Sequence, residues 1–139
     1  MPNPKNRVVI DTNLWISFLI TKDFSIFDAE VDHALQFILC EELIVEFLDV
    51  ANRDKFRRYF SAEDVEQLLL ELTRKSTFVK VTSEVSICRD PKDNFLLALA
   101  LESTATHIIT GDKDLLVLKR FGETEIVTLT EYLSIEKGT

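Results

Sequence analysis

Apolar positions along the chain fall into short runs separated by amphipathic stretches. Arg7-Val-Val-Ile-Asp11 is a brief β-branched run ending in an acid, which predicts a first strand buried on both faces. Thr12 to Ile20 carries Leu14, Phe18 and Leu19 at helical spacing, and a short helix is predicted over Phe27 to His33. Ala34 to Cys40 then reads as strand two. From Glu41, the positions Leu43, Phe47 and Val50 mark a helix running toward Asp54. Ser61-Ala-Glu-Asp64 opens the next helix with a Ser cap and an acid three residues later, and the two helices are expected to form an antiparallel pair. Thr77 to Val81 reads as strand three. Asp90-Pro91-Lys92-Asp93 starts a helix, with Asp at the cap and Pro in the first turn, that is expected to reach Glu102. His107 to Thr110 is strand four, Gly111-Asp112 turns into a short helix with Leu115, Leu116 and Leu118, Glu125 to Thr128 is strand five, and a brief helix follows.

Strands that alternate with helical patterns imply βαβ crossovers. The expected fold is therefore α/β, a three-layer α/β/α arrangement around a mostly parallel sheet of four to five strands. A chain of 139 residues with three Gly, three Pro and no low-complexity tract is read as one domain over residues 1–139. Its longest apolar runs, Leu14 to Ile20 and Phe95 to Leu101, are too short to span a bilayer, which takes about 20 residues. No membrane association is expected. The basic start is followed by an apolar stretch that Asp11 interrupts, which does not resemble a secretory leader, and a cytoplasmic location is the expectation. Cys40 and Cys88 lack C-x-x-C spacing and, with only His33 and His107, cannot build a zinc cage, so both are expected to be reduced thiols.

The net charge of −8 argues against indiscriminate attachment to a phosphate backbone, because such affinity comes from Lys and Arg displacing counterions. The same acidity has another meaning if several carboxylates converge on bound cations. Asp11 ends strand one and Asp112 follows strand four, so both emerge at the carboxyl edge of one parallel sheet, where such folds bind ligands. Glu46 lies in register with Leu43, Phe47 and Val50, and Asp93 with Leu96, Leu97 and Ala100, which turns an acid toward the core in each helix. An inward carboxylate must be protonated, paired or metal-bound. Hard divalent cations such as Mg²⁺ or Mn²⁺ take oxygen ligands, and one shared site would satisfy all four acids. The simpler readings are that Asp90, Asp93 and Asp112 cap or polarise helix N-termini and that Glu46 sits at a solvated rim.

The series Val8-Val-Ile-Asp11-Thr12-Asn13, Glu46 within Leu43-Ile-Val-Glu46-Phe-Leu, Asp90-Pro-Lys-Asp93-Asn-Phe-Leu-Leu-Ala, and Ile109-Thr110-Gly111-Asp112-Lys-Asp114 resembles PIN domains. The likeness runs over nearly the whole chain and is nearest to the toxin components of type II toxin–antitoxin pairs, the VapC-like ribonucleases. It implies an acidic, metal-binding and catalytic quartet of Asp11, Glu46, Asp93 and Asp112, with Asp11 and Asp93 as the main ligands and Thr12, Asn13, Asp90, Thr110 and Asp114 in support. The implied activity is Mg²⁺- or Mn²⁺-dependent hydrolysis of RNA, in which one or two cations activate water and steady the charge on phosphorus. It also implies an antitoxin partner, expected on the helices between Glu41 and Lys75 around Ile44, Leu69 and Leu70, and a homodimer.

Arg53, Lys55, Arg57 and Arg58, interleaved with Phe56 and Tyr59, are candidate contacts for phosphates and bases, the alternative being a solvated loop. Arg89 and Lys92, on either side of Asp90, are further candidates. A catalytically silent PIN-like module that binds RNA or protein is the first rival reading. An aspartyl-phosphate phosphatase fares worse, since that chemistry wants a second Asp two residues after the nucleophile and position 13 is Asn.

Overall fold

The computed structural model describes residues 6–27 and 35–137. The helix expected over Phe27 to His33 lies largely outside those residues. Six strands form one sheet in the order β3-β2-β1-β4-β6-β5. β1 is Asn6–Ile10, β2 Leu35–Leu39, β3 Ser76–Phe78, β4 His107–Ile109, β5 Arg120–Phe121 and β6 Thr124–Val127. All neighbours are parallel except β5 and β6, which form a hairpin around Gly122, whose φ is +59°. The helices are α1 Thr12–Thr21, α2 Glu41–Ala51, α3 Ala62–Lys75, α4 Pro91–Ser103, α5 Lys113–Leu116 and α6 Leu129–Lys137, with a 3₁₀ turn at Asp54–Phe56. Among the described residues no helix is long and apolar enough to cross a membrane.

The α/β class with a mostly parallel sheet is as the sequence predicts, and the sixth strand is the addition. β5 is two residues long, too short to carry an alternating pattern, and exists only because the hairpin turn folds it onto β6. Strand three also ends earlier than expected: Val79 N–H still reaches Leu39 O at 3.0 Å, after which residues 80–90 run without regular structure.

The local reasons for each helix are visible at its start. Asp11 caps α1 by accepting from Asn13 N–H. Ser61 and Asp64 form a reciprocal capping box on α3, with N–H to oxygen distances of 3.2 and 2.9 Å, satisfying two donors that the helix end would otherwise leave bare. Asp90 caps α4 through Lys92 N–H with Pro91 at its first turn. α4 closes on Thr104, which takes the left-handed conformation at φ 52°.

The chain steps outward from β1 to β2 to β3, then returns past β1 to β4. Right-handed crossovers therefore lay α1, α2 and α3 on one face and α4 on the other. α4 indeed packs on β1 and β4, while α1 packs on α2 and α3 on β2 and β3. Val8, Val9 and Ile10 of β1 and Ile108 and Ile109 of β4 are covered on both sides and form the centre of the core. Trp15 and Phe47 meet edge to face at 5.3 Å and fix α2 against α1. The direction of the sheet reverses between β1 and β4, and the crevice beyond the carboxyl ends of those two strands is where such a topology places a ligand.

Candidate metal centre at the carboxyl edge of the sheet

Asp11 leaves β1 in register, its N–H bonded to Ile109 O at 3.0 Å, and turns its carboxylate into the crevice between β1 and β4. Oδ1 accepts from Asn13 N–H at 3.1 Å and Oδ2 from the Thr110 hydroxyl at 2.8 Å. The same Thr110 oxygen accepts from Asp112 N–H at 3.0 Å, so one fully buried hydroxyl ties together the ends of both strands. Asp112 in turn accepts from Asp114 N–H at 2.8 Å, which folds the two acids toward each other at the start of α5.

Asp93, in the first turn of α4, is 3 % exposed, and its Oδ2 has no hydrogen-bond partner. Burial pushes its carboxyl up to about 7, with the negative charges of Asp112, Asp90 and Asp11 adding to the effect. Asp93, Asp112 and Asp114 each offer a carboxylate oxygen, and these oxygens lie within 4.8 Å of one another. A buried oxygen without a donor, beside two further hard oxygens, is chemistry that a divalent cation satisfies, as does, in the ion's absence, a proton shared toward Asp112. The residues present fit such an ion.

A cavity of ≈ 50 Å³ is lined by Asp11, Thr12, Asn13, Glu46, Asp90, Lys92, Asp93, Leu96 and Asp112. All four acids of the sequence-predicted quartet thus border one space, together with Thr12, Asn13 and Asp90. They do not stand alike. Asp11 and Asp93 are buried, whereas the Glu46 side chain is 28 % exposed and its Oε1 pairs with Lys92 Nζ at 3.3 Å. Glu46 therefore belongs to the rim rather than to the core-facing stripe that its spacing suggested. Asp114, expected only in support, does not line the cavity, yet it offers an oxygen to the group with Asp93 and Asp112 and also faces the Arg89 guanidinium at 3.5 Å.

The basic cluster is elsewhere. Arg53, Lys55, Arg57 and Arg58 do not line this cavity. Arg53 pairs with Asp49, Arg57 with Asp54, Lys55 lies over the Phe56 ring and Arg58 over Tyr59. Exposed pairs of this kind contribute little to stability. A larger groove, ≈ 420 Å³, shares no residue with this cavity; its walls include Leu19, Lys22, Phe27, Asp64, Leu68 and Glu71. Its titratable groups are already paired, Asp64 with Lys22 and Glu71 with Arg74 and Lys75, so the chemistry is assigned to the smaller space.

One residue that sequence reasoning passed over is Asn94. Its Oδ1 accepts from Ile87 N–H and Cys88 N–H at 3.1 and 2.8 Å, and its Nδ2 donates to Cys88 O at 2.9 Å. Three bonds from one side chain clamp the irregular segment that delivers Arg89 and Asp90 to the cavity. Glu102 makes a second tie higher up, accepting from Thr82 and from the Ser83 hydroxyl. Both cysteines are free thiols, Cys40 buried and Cys88 half-buried. Burial raises the Cys40 thiol to about 11, and burial followed by the charges of Asp93, Asp114, Asp112 and Asp90 raises that of Cys88.

The doubly wound sheet brings these carboxylates to its switch point, where such folds bind ligands. The PIN domain model matches residues 7–114, from β1 through the Asp112–Asp114 turn, and the chain belongs to the PIN domain family. Over 123 residues it is 32% identical to "Uncharacterized protein MJ1680" of Methanocaldococcus jannaschii, an alignment covering 86% of this chain and 79% of that protein. PIN domains are generally nucleases that act on nucleic acid and typically bind a divalent metal, in keeping with the carboxylate cluster.

Proposed function

We propose that this protein is a Mg²⁺- or Mn²⁺-dependent endoribonuclease, acting as the toxin of a toxin–antitoxin pair. The observation that carries the metal-dependent reading is the buried, unpartnered Oδ2 of Asp93 beside Asp112 and Asp114. A cation held there would supply Lewis acidity toward a phosphoryl oxygen and lower the pKa of a bound water. The chain's own groups do the rest. Asp93, Asp112 and Asp114 hold the cation, and Asp11, fixed by Thr110 and Asn13, closes the opposite wall directly or through water. Thr12, Asn13 and Asp90 shape the cavity. Lys92 lines the cavity and Arg89 pairs with Asp114 beside it, where a scissile phosphate would need positive charge. The Arg53–Arg58 segment would serve a more distant stretch of RNA, since none of its cations lines the cavity.

RNA as substrate and the toxin role rest on the resemblance of the Val8–Asn13, Asp90–Ala98 and Ile109–Asp114 segments to the toxin group. An antitoxin would dock on α2 and α3, where Val45 and Leu70 are exposed apolar side chains. Ile44, by contrast, is half-buried and packs against the core. A homodimer is proposed on the same resemblance. The test is cleavage of a structured RNA with Mg²⁺ or Mn²⁺, with chelator, and with Asp11→Asn. Activity that needs the metal and disappears in the variant is expected. RNA binding without cleavage in any divalent metal would instead favour a silent PIN module.

A further inference from the structure

We infer that Lys92 is a built-in counterion that holds Glu46 out of the metal's ligand set, so that the cavity takes a single divalent cation at its Asp93–Asp112–Asp114 end. This inference rests on the metal-dependent reading above.

The cavity has two chemically different ends. At one, lined by Asp93 and Asp112, their oxygens gather within 4.8 Å of one from Asp114, which lies outside the lining, and the Asp93 Oδ2 is buried with no donor. At the other, Glu46 already faces a positive charge, the Lys92 ammonium at 3.3 Å, and it does not join the gathered oxygens. Lys92 is 63 % exposed, but its side chain starts from a fixed point. Its backbone N–H is bound to Asp90 Oδ1 at 2.9 Å in the first turn of α4, one residue before Asp93, so the ammonium always originates beside the metal ligands.

A two-metal phosphodiesterase holds cations about 4 Å apart and needs carboxylates to bridge and neutralise both. Here the acid that would serve a second cation is engaged by a protein cation. A divalent ion at Glu46 would have to displace the ammonium and then endure its repulsion inside a cavity of ≈ 50 Å³. An ammonium carries three N–H donors, so Lys92 can keep Glu46 and still offer a donor to a phosphate oxygen. It thereby takes the electrostatic place of a second metal.

The test is Mn²⁺ stoichiometry on the full chain, read by isothermal calorimetry and by the loss of the free-ion paramagnetic resonance signal, with no RNA present. Wild type is expected to bind one Mn²⁺, Lys92→Met two, and the double variant Lys92→Met with Glu46→Gln one. Glu46→Gln alone is expected to leave the single Mn²⁺ affinity within about twofold, whereas loss of a genuine ligand would weaken it by about tenfold or more. Two Mn²⁺ in wild type, one in Lys92→Met, or a tenfold loss in Glu46→Gln overturns the role of Lys92 and leaves the metal site standing. No Mn²⁺ bound by folded wild type overturns the metal-dependent reading itself.

Discussion

The Thr110 hydroxyl donates to Asp11 Oδ2 at 2.8 Å while its oxygen accepts from Asp112 N–H at 3.0 Å, so the ends of β1 and β4 share one side chain. Thr110→Val keeps the shape and removes both bonds. The Asp11 carboxylate then keeps only its bond from Asn13 N–H, and Asp112 N–H is left without its acceptor. Groups that orient metal-site carboxylates are typically worth about 10- to 100-fold in metal affinity or activity. Thr110→Val is expected to fall in that range in kcat/KM, and Thr110→Ser, which retains the hydroxyl, to stay near wild type. Equal activity of Val and Ser variants would refute the link.

Asp93 makes the metal-free protein less stable at high pH. Its folded carboxyl is raised to about 7, first by burial, from an ordinary value of 3.8. Between those values the native state holds a proton that the unfolded chain has released, so stability falls as pH rises, and the full penalty is present above about 7. Asp93→Asn has no such proton. In EDTA its melting temperature should exceed that of wild type at pH 8 and approach it near pH 4.5. Mn²⁺ at pH 8 should raise the wild-type melt alone. A pH-independent difference between the two melts would contradict this account.

Cys88 can report on the cation. Its thiol is raised by burial and then by four neighbouring aspartates, so neutralising them lowers its pKa and increases the thiolate fraction. Alkylation by iodoacetamide at pH 8 is therefore expected to speed up when Mg²⁺ is added. Cys40, buried and raised to about 11, should stay unreactive in the folded protein. Slower alkylation on adding Mg²⁺ would show that the ion shields the thiol instead.

Asn94 holds the segment before α4. Asn94→Ala releases Ile87 N–H and Cys88 N–H together, and hydrogen exchange at both should quicken by about tenfold or more, the loss of one good hydrogen bond being worth roughly 1 kcal/mol or above. Arg89 loses its anchorage, so KM for RNA should rise more than kcat falls. Unchanged exchange at 87 and 88 would mean that the rest of the segment holds itself.

Much of this arrangement is legible in the sequence because it follows from period and position. Val8–Ile10 with Asp11 behind it can only be a buried strand delivering an acid to its carboxyl end. Asp93 shares a face with Leu96 and Leu97, and it is buried as that spacing demands. Asp114 was harder to weigh, since its approach to Asp93 depends on the turn its N–H makes with the Asp112 carboxylate. The Glu46–Lys92 pair was out of reach: periodicity says which side of α2 faces inward, but not how far along its edge the first turn of α4 arrives. Asn94 left a fainter trace. Residues 80–90 carry Val81 and Val85 at even spacing yet pair with no strand, and a backbone of that kind must find its hydrogen bonds from side chains. An amide just inside the next helix was the natural donor and acceptor, though nothing periodic marks it.

The reversal of strand order between β1 and β4 also sets a condition on synthesis. Asp11 is made 99 residues before its hydroxyl partner, the acids at 112 and 114 follow that partner, and β1 has an open edge until residues 107–109 dock beside it. Closing the sheet and gathering the acids at its carboxyl edge are therefore one event on the ribosome.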